Sequence, residues 1–163
     1  MARLIILSGI PGTGKSTFAK NRLVQYSNYI SRDEIRFNLL RAGEDYFAHE
    51  RQVWTEYVAH IADLLNDGKD VIADSTNLSK KSRKKLLNDL DLFVNKDFTI
   101  EIYSFKVPIE VALARNAQRE GLARVPDDAL RKMNKSFIFP SYDEDERIQV
   151  IFEVNENEEV KVI

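Results

Sequence analysis

The sequence contains no cysteine, which excludes a disulfide framework, a thiolate metal site and a thiol nucleophile. Histidine is scarce: His49 and His60 fall on one predicted helix with no second ligand beside them, and read as surface or packing residues. Long hydrophobic runs are missing too. The N-terminal apolar run, Leu4 to Leu7, is far too short for a signal peptide or a membrane helix, so an intracellular, cytoplasmic protein with no membrane attachment is expected. No internal repeat, low-complexity tract or Pro/Gly-rich linker interrupts the 163 residues, which predicts a single domain over 1–163. An excess of basic charge is also lacking, with 24 Lys+Arg against 26 Asp+Glu and a net charge of −2. That balance argues against wrapping a long nucleic-acid backbone but not against gripping the end of a strand, which needs few cations. The basic run KKSRKK (80–85) and the acidic runs DEDE (143–146) and ENEE (156–159) read first as solvated faces and turns.

What is present is an alternation of strand and helix patterns. Residues 3–8 form a continuously apolar strand of the kind buried on both faces of a parallel sheet. A helix is expected from Lys15 to about Tyr26, a short strand over Asn28–Ile30, and helices over Asp33–Leu40 and Phe47–Asn66. The longer helix carries Val53, Trp54, Tyr57, Val58, Ile61, Leu64 and Leu65 on one side, which reads as core rather than a base-stacking platform. DVIADSTN (70–77) is a strand ending in an acid, and Ser79 caps a basic helix running to Leu90. Phe98–Val107 is the next strand, then come helices over 107–121 and from Val125–Pro126 to Ser136, and a strand over Arg147–Val154 that can pair with Val160–Ile163. This is an α/β chain, expected to form a three-layer P-loop NTPase of the adenylate-kinase-like type, with a central mostly parallel sheet and helices on both faces.

The stretch Gly9-Ile-Pro-Gly-Thr-Gly-Lys15-Ser16 fits G-x-x-x-x-G-K-[ST], between a buried strand and a helix. Its glycines let successive backbone N–H groups turn inward on phosphates, and the following helix adds the positive end of its dipole. Gly9, Gly12, Thr13, Gly14, Lys15, Ser16 and Thr17 are therefore assigned to ATP or another nucleoside triphosphate. Lys15 reaches the β and γ phosphates, and the Ser16 hydroxyl holds Mg²⁺. A GTPase would need a base-reading N-K-x-D run, which is absent. A compact kinase is the generic reading.

Loops at the carboxyl ends of parallel strands share one crevice, and three of them bear on an acceptor. SRDEIR places Asp33 there, with Arg36 three residues on. DSTN places Asp74 at a strand end, in the form of an acid that holds Mg²⁺ through water. The 107–121 helix carries Arg115 and Arg119 on one face, opening a lid segment at about 115–125. A kinase acting on a hydroxyl needs a carboxylate to accept its proton and cations for the transferring phosphoryl group. Asp33 suits the first role and Arg119 or Arg115 the second, although Asp33 also reads as a helix cap, since Ser31, Asp33 and Glu34 cluster at a helix start, and Asp74 as a strand-end turn residue.

GIPGTGKSTFAK, SRDEIR, VIADSTNLS and FKVPIEVALARNAQREGLARVPDDALRKMNKSF together resemble the kinase domain of bacteriophage 5′-polynucleotide kinases, in the same order from residue 4 to about 136. The resemblance implies transfer of the ATP γ-phosphate, with Mg²⁺, to the 5′-hydroxyl end of DNA or RNA, single-stranded at the end, and a phage-like origin. It makes Asp33 the general base, Arg36 the contact to the phosphate just downstream, and Arg119 with Arg115 lid arginines over the ATP phosphates. Asp74 and Asn77 of D-x-TN fall on the substrate side. The chain lacks the D-x-D-G-T motif of the phosphatase domain that the phage enzymes carry, so a free-standing kinase is expected. Other readings are a P-loop kinase of a small hydroxyl compound such as a nucleoside or sugar, and a non-catalytic nucleotide-gated binding module. Phe137, Phe139 and Tyr142 either stack on a nucleobase or pack against the final strand.

Overall fold

The computed structural model describes residues 1–23 and 28–163. One six-stranded sheet organises them. It comprises β1 (Ala2–Ser8), β2 (Asn28–Ser31), β3 (Val71–Asp74), β4 (Phe98–Phe105), β5 (Ile148–Val154) and β6 (Val160–Val162), in the spatial order β2-β3-β1-β4-β5-β6. The first five strands are mutually parallel, and β6 returns antiparallel on β5 as the spacing predicts. The helices are α1 (Lys15–Phe18), α2 (Arg32–Leu39), α3 (Glu50–Asn66), α4 (Lys80–Asp91), α5 (Ile109–Ala117) and α6 (Asp127–Ser136). The three-layer α/β expectation holds.

Strand β1 is apolar at nearly every position because both its faces are covered. Leu4 and Ile6 point into a core built with Tyr57, Ile61 and Leu65 of α3 and Leu86 and Leu90 of α4. Ile5 and Leu7 point the other way, against Phe18, Ile72, Phe105 and Val154. A third cluster, Ile10, Ala112 and Leu130, packs α5 and α6 beside the phosphate loop. Tyr57 and Ile61 are core, as their helical spacing implies, whereas Trp54 is only half-buried.

Several boundaries differ from the sequence reading. The α1 helix gives way to a π-helical turn over Ala19–Leu23, and the expected continuation to Tyr26 lies outside the described residues. The α2 helix starts at Arg32 because Ser31 caps it, accepting from the Glu34 amide. The α3 helix starts at Glu50 rather than Phe47, since turns occupy Tyr46–His49. The β3 strand stops at Asp74: Asn77 adopts a φ of 45° and leads the chain out of the sheet. Among the described residues no helix is long and apolar enough to cross a membrane.

One member of the basic run is not solvated. Arg83 is buried, with its side chain ion-paired to Glu144 at 2.7 Å and donating at 2.8 Å to the Asn77 carbonyl. Removing either partner strands a charge in the interior. Arg83→Ala should lower stability by about 3–5 kcal/mol in urea unfolding, while Lys84→Ala, on the exposed face, should cost under about 0.5 kcal/mol.

Candidate functional site

The phosphate loop runs from Gly9 to Ser16 between β1 and α1. It is braced from outside: the Gly9 amide donates to the Thr76 carbonyl at 2.9 Å, and the Thr13 hydroxyl to the Ile10 carbonyl at 2.8 Å. Gly12 and Gly14 have φ of 86° and 87°, where a side chain is strained. At Gly12 a Cβ would also lie 2.4 Å from the Ala112 carbonyl oxygen, so α5 packs directly on the loop.

Beside this loop opens a cavity of about 560 Å³. Lys15, Ser16, Asp33, Arg36, Asp74 and Arg119 all line it, although they are widely separated along the chain. Lys15 and Arg119 form no ion pair among the described residues, so two cations face the same space uncompensated. The Ser16 hydroxyl donates to Asp74 Oδ2 at 2.6 Å, and the Tyr29 hydroxyl donates to the same oxygen. Burial, and then the Asp74 charge, push the Tyr29 phenol far above its usual pKa, so it stays a donor. Among the described residues no cluster of three acidic or imidazole side chains forms a metal cage. The Ser16–Asp74 pair nonetheless fits Mg²⁺, an oxygen-seeking ion that keeps waters and takes phosphate oxygens in place of a full protein cage.

Elsewhere in the cavity lining, Asp33 Oδ1 accepts from Arg36 Nη1 and from the Tyr46 hydroxyl, the latter at 2.9 Å. Asp33 Oδ2 has no partner among the described residues, and the side chain is 58% exposed. Arg36 is nearly spent. Its side chain is 6% exposed, Nε and Nη2 reach Glu50 at 3.0 and 2.6 Å, and the guanidinium lies 4.4 Å from the Tyr46 ring centre. Glu50 also accepts from Arg32 at 2.5 Å. Burial alone would raise the Glu50 pKa, but the hydrogen bond from Arg36 and the charges of Arg32 and Arg36 outweigh it and hold the carboxyl below its ordinary value.

The arginines at 115 and 119 part company. Arg119 lines the cavity, whereas Arg115 donates to the Thr13 carbonyl at 3.1 Å and to the Glu156 carbonyl at 3.0 Å. Arg115 thus borders a second opening, of about 420 Å³, between the phosphate loop and residues 155–158. Between the arginines, buried Asn116 exchanges hydrogen bonds with both the N–H and the carbonyl of Val125, closing the exposed segment 117–124 into a loop. Asn77 is buried as well. Its amide donates to the Leu7 carbonyl at 2.7 Å and its own carbonyl accepts from Ser8, so it ties the ends of β1 and β3 and is not among the cavity-lining residues. Phe139 packs on the main core, and the Tyr142 hydroxyl donates to the Ile163 carbonyl, which is the packing reading of the two weighed for them.

Sequence reasoning missed Glu50, Tyr29, Tyr46 and Arg32 as parts of the site. Their roles have no local signal, because each works through a partner elsewhere along the chain. Asn116 is inside a quoted motif, but nothing in its spacing announces that it clamps Val125.

A family model for the AAA domain matches residues 4–140, and the chain belongs to that family. Over 98% of its length it is 28% identical to the L-seryl-tRNA(Sec) kinase of Methanococcus maripaludis, spanning 68% of that protein. Over 83% it is 27% identical to a protein of Autographa californica nuclear polyhedrosis virus named as a putative bifunctional polynucleotide kinase/RNA ligase, of which it spans 21%. A chain in the Pnkp1/Rnl/Hen1 RNA repair complex superposes with a TM-score of 0.66 at 26% identity, covering 83% of this chain and 43% of that one. The protein is a P-loop kinase, a class that binds a nucleoside triphosphate and typically works with Mg²⁺.

The depressed Glu50 pKa has a definite pH signature. A carboxyl lowered by folding contributes stability in full above its unfolded pKa, near 4.5, and loses it as pH falls through the folded value. The stability advantage of the wild type over Glu50→Gln should therefore be constant from neutral pH down to the unfolded pKa and shrink as the pH falls below it in urea titrations. A gap independent of pH would mean that Glu50 is not held by the two arginines.

Proposed function

We propose that the protein transfers the γ-phosphate of ATP, or another nucleoside triphosphate, to the 5′-hydroxyl end of a DNA or RNA strand. The observation that carries this reading is one cavity lined together by Lys15 and Arg119, unpaired among the described residues, by Asp33 with one open carboxylate oxygen among the described residues, and by the Ser16–Asp74 pair. The phosphate loop lies between two openings, so a triphosphate would pass from the Arg115 side, where its nucleoside rests against residues 155–158, to Lys15. Asp33 Oδ2 accepts the proton of the acceptor hydroxyl, and the oxygen bonds to the γ-phosphorus as the bond to the bridging oxygen breaks and the diphosphate leaves. Mg²⁺ bound at Ser16 and Asp74 would neutralise phosphate charge there. Arg119, on the loop that Asn116 closes, acts as a lid over the transferring group.

Arg36 is the phosphate contact that the resemblance implies. It reaches the acceptor side only by giving up part of its hold on Glu50 or Asp33, and an incoming phosphodiester supplies the compensating charge. The relatives support an acceptor hydroxyl carried on RNA. The seryl-tRNA kinase among them favours a second reading, in which the hydroxyl belongs to an aminoacyl group on tRNA.

Labelled γ-phosphate from ATP should appear on a 5′-hydroxyl oligonucleotide, and not on its 5′-phosphorylated counterpart or on a free nucleoside. Label on seryl-tRNA alone, or on the nucleoside alone, would overturn the assignment. Asp33→Asn should cut transfer by about 10²–10⁴ while ATP binding persists. Arg119→Ala should cut it by up to about 10³–10⁵. Retention of more than about a tenth of the rate by Asp33→Asn removes the base from Asp33.

A further inference from the structure

Next to the catalytic cavity lies a separate groove of about 340 Å³, bounded by Arg32, Arg51, Trp54, Ser75, Ser82 and Lys85. The two share a wall, since Arg32, Glu50, Ser75 and Thr76 line both. A strand that left the cavity over Ser75 and Thr76 would meet this groove next. Glu50 is the acid in its wall, and that charge is already taken by Arg32 and Arg36. Arg51, exposed on α3, forms no ion pair among the described residues. Arg32 Nε is buried with no hydrogen-bond partner among the described residues.

Trp54 sits among these cations. The Arg32 guanidinium lies 4.9 Å and the Lys85 ammonium 5.1 Å from its ring centre, and its indole N–H is anchored on Asp89 at 2.7 Å. The half-buried ring is thereby fixed in orientation. Lys85 is 60% exposed and can leave it for another anion. An anchored aromatic face flanked by Arg and Lys is what a nucleotide requires: a π surface for any base and cations for the backbone.

We propose that this groove is a subsite for the nucleotide following the acceptor in a single strand, with its phosphodiester on Arg32, Arg51 and Lys85 and its base on Trp54. The proposal rests on the strand-end reading above. It makes the enzyme discriminate between a strand and a mononucleotide, because only a strand reaches both the cavity and the groove. Its cations are few, in keeping with the net charge of −2.

Trp54 is the single tryptophan of the chain, so its emission reports on the groove alone. A single-stranded 5′-hydroxyl trinucleotide should quench it, and a nucleoside 3′-monophosphate should not. In the double variant Arg51→Ala/Lys85→Ala, altered at exposed positions, the trinucleotide should bind about tenfold more weakly. Its plot of log K against log salt should flatten by about 0.7 for each phosphate that the variant no longer engages. The KM for the trinucleotide should rise about tenfold more than that for the monophosphate. Phosphorylation of the trinucleotide with unmoved emission, or with equal KM changes for the two acceptors, overturns the groove and spares the strand-end reading. Quenching that the variant weakens, without any transfer to the strand, keeps the groove and overturns that reading. Neither quenching nor transfer overturns both.

Discussion

The parallel pairing of β1 with β3 sets Leu7 opposite Asp74, and the remainder of the site depends on that register. It brings the exit of β1, where the phosphate loop starts, level with the exit of β3, where the acid sits. The junction is then locked by polar contacts across the two exits, from Asn77 to Leu7, from Ser8 to Asn77 and from Gly9 to Thr76. A slip by one residue would send Asp74 to the other face of the sheet and part it from Ser16. The hydrophobic cores on both faces make such a slip prohibitive, so burial of Leu4, Ile6, Ile5 and Leu7 sets where the hydroxyl and carboxylate meet.

Charge commitment divides the rest of the cavity. Arg36 is held by Glu50 and Asp33, and Arg32 is ion-paired to Glu50 while its Nε finds no partner among the described residues, so each of these two cations has a counter-charge beside it. Lys15 and Arg119, beside the phosphate loop, form no ion pair among the described residues. The cavity therefore carries both uncommitted cations and a carboxylate with one open oxygen among the described residues. The same carboxylate is presented by one oxygen, because Tyr46 and Arg36 both bind the other.

Short-range signals carried the recognisable part of this protein. The phosphate loop, the Ser79 cap and the acid at the end of β3 are each legible from residues within a few positions of one another. The order of strands in the sheet was not, nor was the breakdown of α1 into a π-helical turn. Arg83 shows the limit well. Within KKSRKK it looks like one more solvated cation, and only the arrival of Glu144 from 61 residues away makes it a core residue.

The amino-acid sequence by itself determined the class of chain, an α/β phosphate-loop protein with a carboxylate and arginines spaced for group transfer, because glycine conformations, caps and apolar periodicity act locally. Only the tertiary structure decided which of those side chains are free to act. Arg115 turns away to Glu156, Asn77 is consumed in holding two strands, and Glu50 and Tyr29 become the supports of Arg36 and Asp74. A buried polar group must find its partner wherever the fold supplies one, and that partner is set by the sheet order rather than by distance along the chain.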